Sequence, residues 1–161
     1  MKQLDQKKLA LIGRTLLQKE ETIAIAESVS SGLLQFAISA IDNATELFQG
    51  GITVYNTAQK FKHLQVEPIH ALSVNAVSQQ VANEMAIHVQ QLFGSHWGVA
   101  VTGYASRVPE SGKKIYAYFT IAYGNKIMCS GELKGVGSKP AEVQQNYAAA
   151  IISNLHDVLT S

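Results

Sequence analysis

Apolar residues recur at helical spacing in three parts of the chain. Leu9, Ile12 and Leu16 share one face over residues 5–19, with Lys and Gln between them, which predicts a packing helix. Val81, Met85, Val89 and Leu92 form an i, i+4 stripe that stops at Gly94, and Ser78 is placed to cap that helix. Val143, Tyr147, Ile151, Leu155 and Val158 make the core stripe of a last helix, with Pro140 in its first turn. Short apolar runs lie between these segments. Residues 22–26, 51–55 and 97–102 read as strands, the first rich in Ile and so central. Residues 115–123 and 126–133 flank Gly124-Asn125, a two-residue hairpin signal. A further helix over 32–41 is apolar on most sides, which predicts a buried helix. Residues 42–45 read as a turn, and Gly50-Gly51 opens the second strand. Residues 57–64 read as one or two helical turns, and 66–70 as a loop around Pro68. Residues 104–114 form a polar loop and 135–138 a flexible link.

Strands alternating with helices, plus one hairpin, predict a three-layer α/β/α domain with a mixed sheet. The 161 residues are 47% apolar and 16% charged, which suits a single domain over 1–161 with an adequate core. A formal net charge of +1 gives no electrostatic case for nucleic acid or for an acidic membrane surface. No run of eighteen apolar residues is present, and the N-terminal apolar segment is too short and broken for a signal peptide. Cys129 is the sole cysteine, so no internal disulfide forms, and a cytoplasmic location is the expectation.

Candidate chemistry concentrates where the first strand feeds a helix, at Glu27-Ser28-Val29-Ser30-Ser31-Gly32. Open α/β sheets place ligands at such junctions, where free amides and the helix dipole favour anions. Ser28 admits two readings: a nucleophile facing backbone N–H donors, or, like Ser30, a helix cap. The surrounding residues are not a G-x-S-x-G elbow. Lys60 is either a desolvated general base or a solvated surface lysine. Tyr55 either orients a ligand or packs with its hydroxyl at the surface. Five histidines form no metal-binding spacing, so no metal site is expected, and there is no glycine-rich phosphate loop. Arg107, Lys113 and Lys114 in the polar loop either meet a phosphate or face solvent.

Four motifs in register narrow these alternatives. AESVSSGLLQFAISAI, F-x-GGITVYNTAQK, AVSQQVANEMA and GVAVTG resemble the CinA C-terminal domain family, whose active members are nicotinamide-nucleotide amidases. The family pattern runs AESCTGGLL, F-x-GG-x-x-x-Y-S-N-x-x-K, AVSEEVA-x-x-MA and A-V-T-G-I-A-G-P, and its order holds here over residues 5–159. The resemblance implies a mixed five-stranded sheet between helical layers. It also implies hydrolysis of the carboxamide of nicotinamide mononucleotide to nicotinate mononucleotide and ammonia, without metal or organic cofactor. By the same resemblance Ser28 is the nucleophile and Lys60 its base. Tyr55 is the motif tyrosine, Thr45 takes the place of a second family serine, and Thr102 is the threonine of A-V-T-G. Ser30, Ser31, Gly32, Thr102 and Gly103 are then expected to surround the substrate.

Three departures bear on the expected activity. Ser31 replaces a glycine and adds a Cβ where a positive φ is expected. The glycine-rich loop becomes Gly103-Tyr104-Ala105-Ser106-Arg107 and is shorter. Ser138-Lys139-Pro140 stands where the family carries G-D-R, so Lys139 keeps the charge without the bidentate geometry. The expected function is therefore a deamidase using a Ser/Lys pair, with Arg107, Lys113, Lys114 and Lys139 available for the phosphate. The alternatives are a catalytically degenerate relative that binds a nucleotide or a protein partner, and an amidase for a different substrate. A small-molecule nucleotide is the expected partner, with no nucleic acid or membrane, and a homo-oligomer is compatible with the apolar helices.

Overall fold

The computed structural model describes residues 4–161. Five strands form one sheet in the order β2-β1-β3-β4-β5. They are β1 (Ile23–Glu27), β2 (Phe48–Thr53), β3 (Trp97–Gly103), β4 (Tyr116–Tyr123) and β5 (Lys126–Lys134). β1 pairs in parallel with both β2 and β3, whereas β3/β4 and β4/β5 are antiparallel. The sheet is mixed, as expected, and lies between helices α1 (Gln6–Gln18), α2 (Leu33–Ser39) and α7 (Pro140–Thr160) on one side and α4 (Thr57–Leu64) and α6 (Gln79–Phe93) on the other. The parallel trio matters for function. The C-terminal ends of β1, β2 and β3 share one edge, and Ser28, Val54 and Tyr104 leave the sheet there.

The pleat explains the two layers. Ile23, Ile25, Val99, Val101, Phe119 and Ile121 point into a core with Leu9, Ile12, Leu16, Tyr147, Ile151 and Leu155 from α1 and α7. Ala24, Ala26, Ala100 and Ala122 point to the opposite face, where Val81, Met85, Ala86 and Val89 of α6 cover them. One face is bulky and the other small, so α6 lies very close to the strands. At Gly98 an added Cβ would come within 2.1 Å of the Ala86 carbonyl oxygen.

Helix starts follow their caps. Asp5 accepts from the amides of Lys7 and Lys8, and Ser78 accepts from the amide of Val81 as expected. Gly124 and Asn125 both have positive φ, 53° and 67°, the conformation of a type I′ hairpin.

Several expectations are corrected. β1 ends one residue later than expected, which brings Glu27 into the strand. α2 starts at Leu33, because Ser31 and Gly32 are left-handed, and Phe36 is exposed, so this helix is buried on one side only. Residues 44–47 form a short helix, α3 (Ala44–Leu47), rather than part of a turn. β2 begins at Phe48, with a register shift that leaves Gly50 against Phe93. Pro68 starts a helix, α5 (Pro68–Ser73), capped by Glu67, because a first-turn proline sacrifices no hydrogen bond. The loop 104–114 contains a 3-10 turn, Pro109–Ser111. Leu92 is exposed, so the α6 stripe ends at Val89, and Leu159 rather than Val158 is the last buried position of α7.

The tight α6 contact yields a prediction. Gly98→Ala forces a methyl onto backbone and should cost about 1–3 kcal/mol, the usual range for overpacking. Gly131→Ala meets only Phe119, at 3.6 Å, and should be near neutral. Thermal unfolding of the two variants checks this: a drop of several degrees is expected for the first alone.

Candidate functional site

Ser28 is the first residue beyond β1, and the side chain next to it decides what it can do. The Glu27 carboxylate is completely buried and accepts from four donors: the Ser30 hydroxyl and the amides of Gly32 (3.1 Å), Leu34 (3.1 Å) and Gln35 (2.8 Å). The N-cap of α2 is Gly32, which has no side chain to offer. Glu27 therefore caps α2 from the strand, with negative charge at the positive end of the helix. This removes the capping reading for both serines. Ser28 is not the cap, and Ser30 donates to Glu27 instead of accepting from the helix. Ser31 sits at φ 53°, a conformation that costs a residue with a Cβ on the order of 1–2 kcal/mol. Hydrogen bonds to a charged acceptor contribute about 1.5–3 kcal/mol each, so four of them outweigh that strain.

Lys60 enters from α4, whose N-cap Asn56 accepts from the Gln59 amide. Lys60 and Leu64 form the buried side of this helix. The lysine is only 2% exposed. Its Nζ donates to the Ser28 Oγ at 3.0 Å and to the Val54 carbonyl at 3.1 Å. Both acceptors are neutral oxygens. Burial lowers the Lys60 pKa from the ordinary 10.5 to about 8. The amine thus reaches its neutral form near physiological pH. In that form one N–H can stay on Val54 while the lone pair faces the Ser28 hydroxyl, the arrangement a base requires.

The pair opens into a cleft of about 450 Å³ whose walls include Tyr55, Asn75, Ala76, Thr102, Gly103 and Tyr104. Thr102 is buried, and its hydroxyl donates to the Ala76 carbonyl at 2.7 Å. Gly103 is required by the sheet, since an added Cβ would lie 2.4 Å from the Ala117 Cβ. Tyr104 accepts from the Asn75 side-chain amide at 3.0 Å, and its carbonyl accepts from the buried Tyr147 hydroxyl at 2.9 Å. Gln144 of α7 donates to the Val29 carbonyl at 2.8 Å and steadies the serine turn from the far side. A side groove of about 420 Å³ continues from the cleft, sharing Ala105, Ser106 and Pro140 with it. Arg107 and Lys139 line this groove. Among the described residues no group of three or more His, Cys, Asp or Glu is placed to share a metal ion. No helix among them is long and apolar enough to cross a membrane.

Of the expected site residues, Ser28, Lys60, Tyr55, Thr102 and Gly103 meet in the cleft, and Arg107 and Lys139 in the groove beside it. Thr45 does not. It is exposed on α3, just before Phe48, and Phe48 pairs with Ile23 at the start of β1, so parallel pairing puts Thr45 at the opposite end of the sheet. Lys113 and Lys114 are exposed and border neither cavity. Ser30, Ser31 and Gly32 support the turn rather than line the cleft. The amides of Ser31 and Gly32 are committed to the Ser28 carbonyl and to Glu27, which removes them as donors for a substrate oxygen. Sequence reasoning missed the roles of Glu27, Asn75, Tyr104 and Gln144. Only Glu27 carried a signal, as an acidic residue closing an apolar strand beside a glycine start of a helix.

Comparison with known proteins agrees with this architecture. The family model of the CinA C-terminal domain matches residues 5–159. Protein MG115 of Mycoplasma genitalium is 37% identical over 117 residues, covering 72% of this chain and 74% of that protein. A CinA-like protein of Rippkaea orientalis is 36% identical over 101 residues, 63% of this chain but only 24% of the relative. A CinA-like protein of Picosynechococcus is 34% identical over 115 residues, 71% of this chain and 27% of the relative. The matched part is thus about a quarter of the length of these CinA-like proteins. Among solved structures, a CinA superfamily protein from Klebsiella pneumoniae superposes with a TM-score of 0.89 at 20% identity, covering 96% of both chains. A competence/damage-inducible protein from Agrobacterium tumefaciens superposes with a TM-score of 0.85 at 20% identity, covering 98% of this chain and 99% of that one. These likenesses carry the fold, and the family match over nearly the whole sequence carries the assignment: the chain belongs to the CinA C-terminal domain family.

Proposed function

We propose that this chain hydrolyses a carboxamide, with nicotinamide mononucleotide as its substrate and nicotinate mononucleotide and ammonia as products. The single observation behind the proposal is the 3.0 Å contact between the Ser28 hydroxyl and the buried Lys60 amine. The neutral amine of Lys60 takes the Ser28 proton as Oγ attacks the carboxamide carbon. The same proton passes to the departing nitrogen, and ammonia leaves an acyl ester on Ser28. Water then attacks the ester, Lys60 accepts its proton and returns it to Oγ, and the carboxylate is released. The amide of Val29, which lines the cleft and for which no acceptor is found among the described residues, is the donor left in the turn for the developing oxyanion. The substrate phosphate is assigned to the side groove, where Arg107 and Lys139 supply two cations from separate segments. Arg107 spends one N–H on the Lys113 carbonyl at 2.9 Å and keeps the rest of its fork.

A second reading is favoured by one feature. Tyr104 stands in the shortened loop and fills part of the cleft wall, which suits a different amide on the same Ser28–Lys60 pair.

Three outcomes test the first reading. Ser28→Ala and Lys60→Ala should each lower ammonia release from nicotinamide mononucleotide by at least a thousandfold, on the order seen when a nucleophile or its base is removed. Both should retain wild-type circular dichroism. Wild-type turnover in folded Ser28→Ala removes the nucleophile, and with it the reading. The base must be neutral, so kcat/KM should rise with pH and level off above about 8, the lowered pKa of Lys60. Lys60→Arg should stay inactive across that range, because a guanidinium holds its proton.

The same burial has a stability signature. Between about pH 8 and the ordinary value of 10.5 the unfolded chain binds the Lys60 proton and the folded chain does not, so wild-type stability gains with rising pH. Lys60→Met lacks that gain. Denaturation midpoints of the two proteins should shift relative to each other, in favour of wild type, across that window and not below it. Finally, Arg107→Ala and Lys139→Ala should raise KM for the nucleotide about tenfold each, with kcat nearly unchanged, and should not affect an uncharged amide substrate.

A further inference from the structure

We propose that Thr102 is a positioning residue that holds the cleft wall at Asn75–Ala76, rather than a group that touches substrate. The proposal rests on the amidase reading for its kinetic readout and on the geometry below for its structural one.

Asn75 and Ala76 are consecutive residues with φ of 51° and 56°, and neither is glycine. Left-handed backbone is unfavourable wherever a Cβ is present, and two such residues in a row persist only when their surroundings fix them. Three contacts do so here. The Ala76 amide donates to the Ala71 carbonyl at 2.7 Å and closes the end of α5. The Ala76 carbonyl accepts the Thr102 hydroxyl at 2.7 Å. The Asn75 side chain reaches Tyr104 at 3.0 Å. Two of the three come from the end of β3, the segment that also lines the cleft. Thr102 is 1% exposed and Ala76 4%, so the bond between them is shielded from water. Both residues of the turn line the cleft that holds Ser28 and Lys60. The Thr102 hydroxyl proton is used on Ala76, and the Nζ of Lys60 is bonded to Ser28 and Val54, not to Thr102. Thr102 thus fixes the shape of the wall that faces Ser28 and Lys60 across the cleft, and leaves the proton chemistry to others.

The test uses Thr102→Val, Thr102→Ser, Ala76→Gly and the double variant Thr102→Val/Ala76→Gly. Thr102→Val keeps the shape and removes the hydroxyl. It should lower kcat/KM at least tenfold and speed hydrogen exchange at the Ala76 amide, while the midpoint of the pH profile stays near 8. Thr102→Ser should restore both values. Glycine accepts the left-handed conformation without help, so Ala76→Gly alone should raise the melting temperature. In the double variant it should recover most of the lost rate. Direct contact with substrate predicts the reverse: Ala76→Gly would rescue nothing, and exchange at Ala76 would not change in Thr102→Val. A shifted pH midpoint would place Thr102 on Lys60. Either result overturns the proposal. Should Thr102→Val fail to fold, Ala76→Val carries the test, since a branched side chain at that φ should open the wall; unchanged kinetics there also overturn it. Should the wild type release no ammonia from nicotinamide mononucleotide, the amidase reading fails separately, and exchange at Ala76 still decides the role of Thr102.

Discussion

The buried carboxylate of Glu27 is the interaction on which the site depends. It lies at the end of the central strand and gathers four donors from the turn and from the first residues of α2. A carboxylate taken out of water is tolerable only when its lone pairs are filled, and here the helix start fills them. The consequence reaches Ser28. A serine beside a helix start is normally drawn into capping, and with the cap supplied by Glu27 its hydroxyl is released to Lys60. The strained Ser31 lies between Ser30 and Gly32, both of which the same carboxylate holds, so one residue sets the path of the turn, the start of α2 and the freedom of the Ser28 hydroxyl.

Sheet topology supplies the second constraint. Parallel pairing of β1 with β2 and β3 brings three strand ends to one edge, and residues far apart in sequence converge there. Lys60 follows β2 on the short helix α4, whose buried side is Lys60 and Leu64. Burial is then both the cost and the purpose. It disfavours the ammonium and so brings the amine near neutrality without any charged neighbour. A carboxylate beside Lys60 would raise its pKa again and keep the ammonium.

Much of the fold was legible in the sequence, because the pattern of apolar positions is a direct record of burial. The stripes of α1, α6 and α7, the Ser78 cap and the Gly124-Asn125 hairpin all stand where the pattern put them, apart from one position at the end of two stripes. Errors arose where local chemistry outranked periodicity. Pro68 reads as a breaker until Glu67 is seen to cap the helix it starts, and Ser31-Gly32 delay α2 because both are left-handed. The site was less legible. Spacing alone left Ser28 divided between nucleophile and cap, and nothing in it shows Lys60 to be buried, since a lysine on an amphipathic helix is ordinarily solvated. The family resemblance brought the two together. It also misplaced Thr45, because a shared hydroxyl in sequence says nothing of which end of the sheet it occupies. Asn75 and Gln144 gave no signal, as their contacts cross 29 and 115 positions of sequence.

The departures from the family pattern fall unevenly, and their distribution is informative. Ser28, Glu27 and Lys60 are intact, and of the three changed residues inside the turn, Val29, Ser30 and Ser31, Ser30 keeps a hydroxyl that donates to Glu27. The changed residues cluster where a ligand would be held: Tyr104 in the wall, Arg107 and Lys139 at the groove. Two of these carry their own support. Tyr104 is tied to Asn75 and Tyr147, and its ring lies 5.5 Å from that of Tyr116 in an edge-to-face contact. Arg107 is anchored on Lys113. A pocket decaying after loss of function would be expected to accumulate buried unpaired polar groups, and among the described residues no buried, unpaired side-chain atom lines the cleft or the groove. Physical economy therefore favours a reshaped binding surface around an intact Ser28–Lys60 pair.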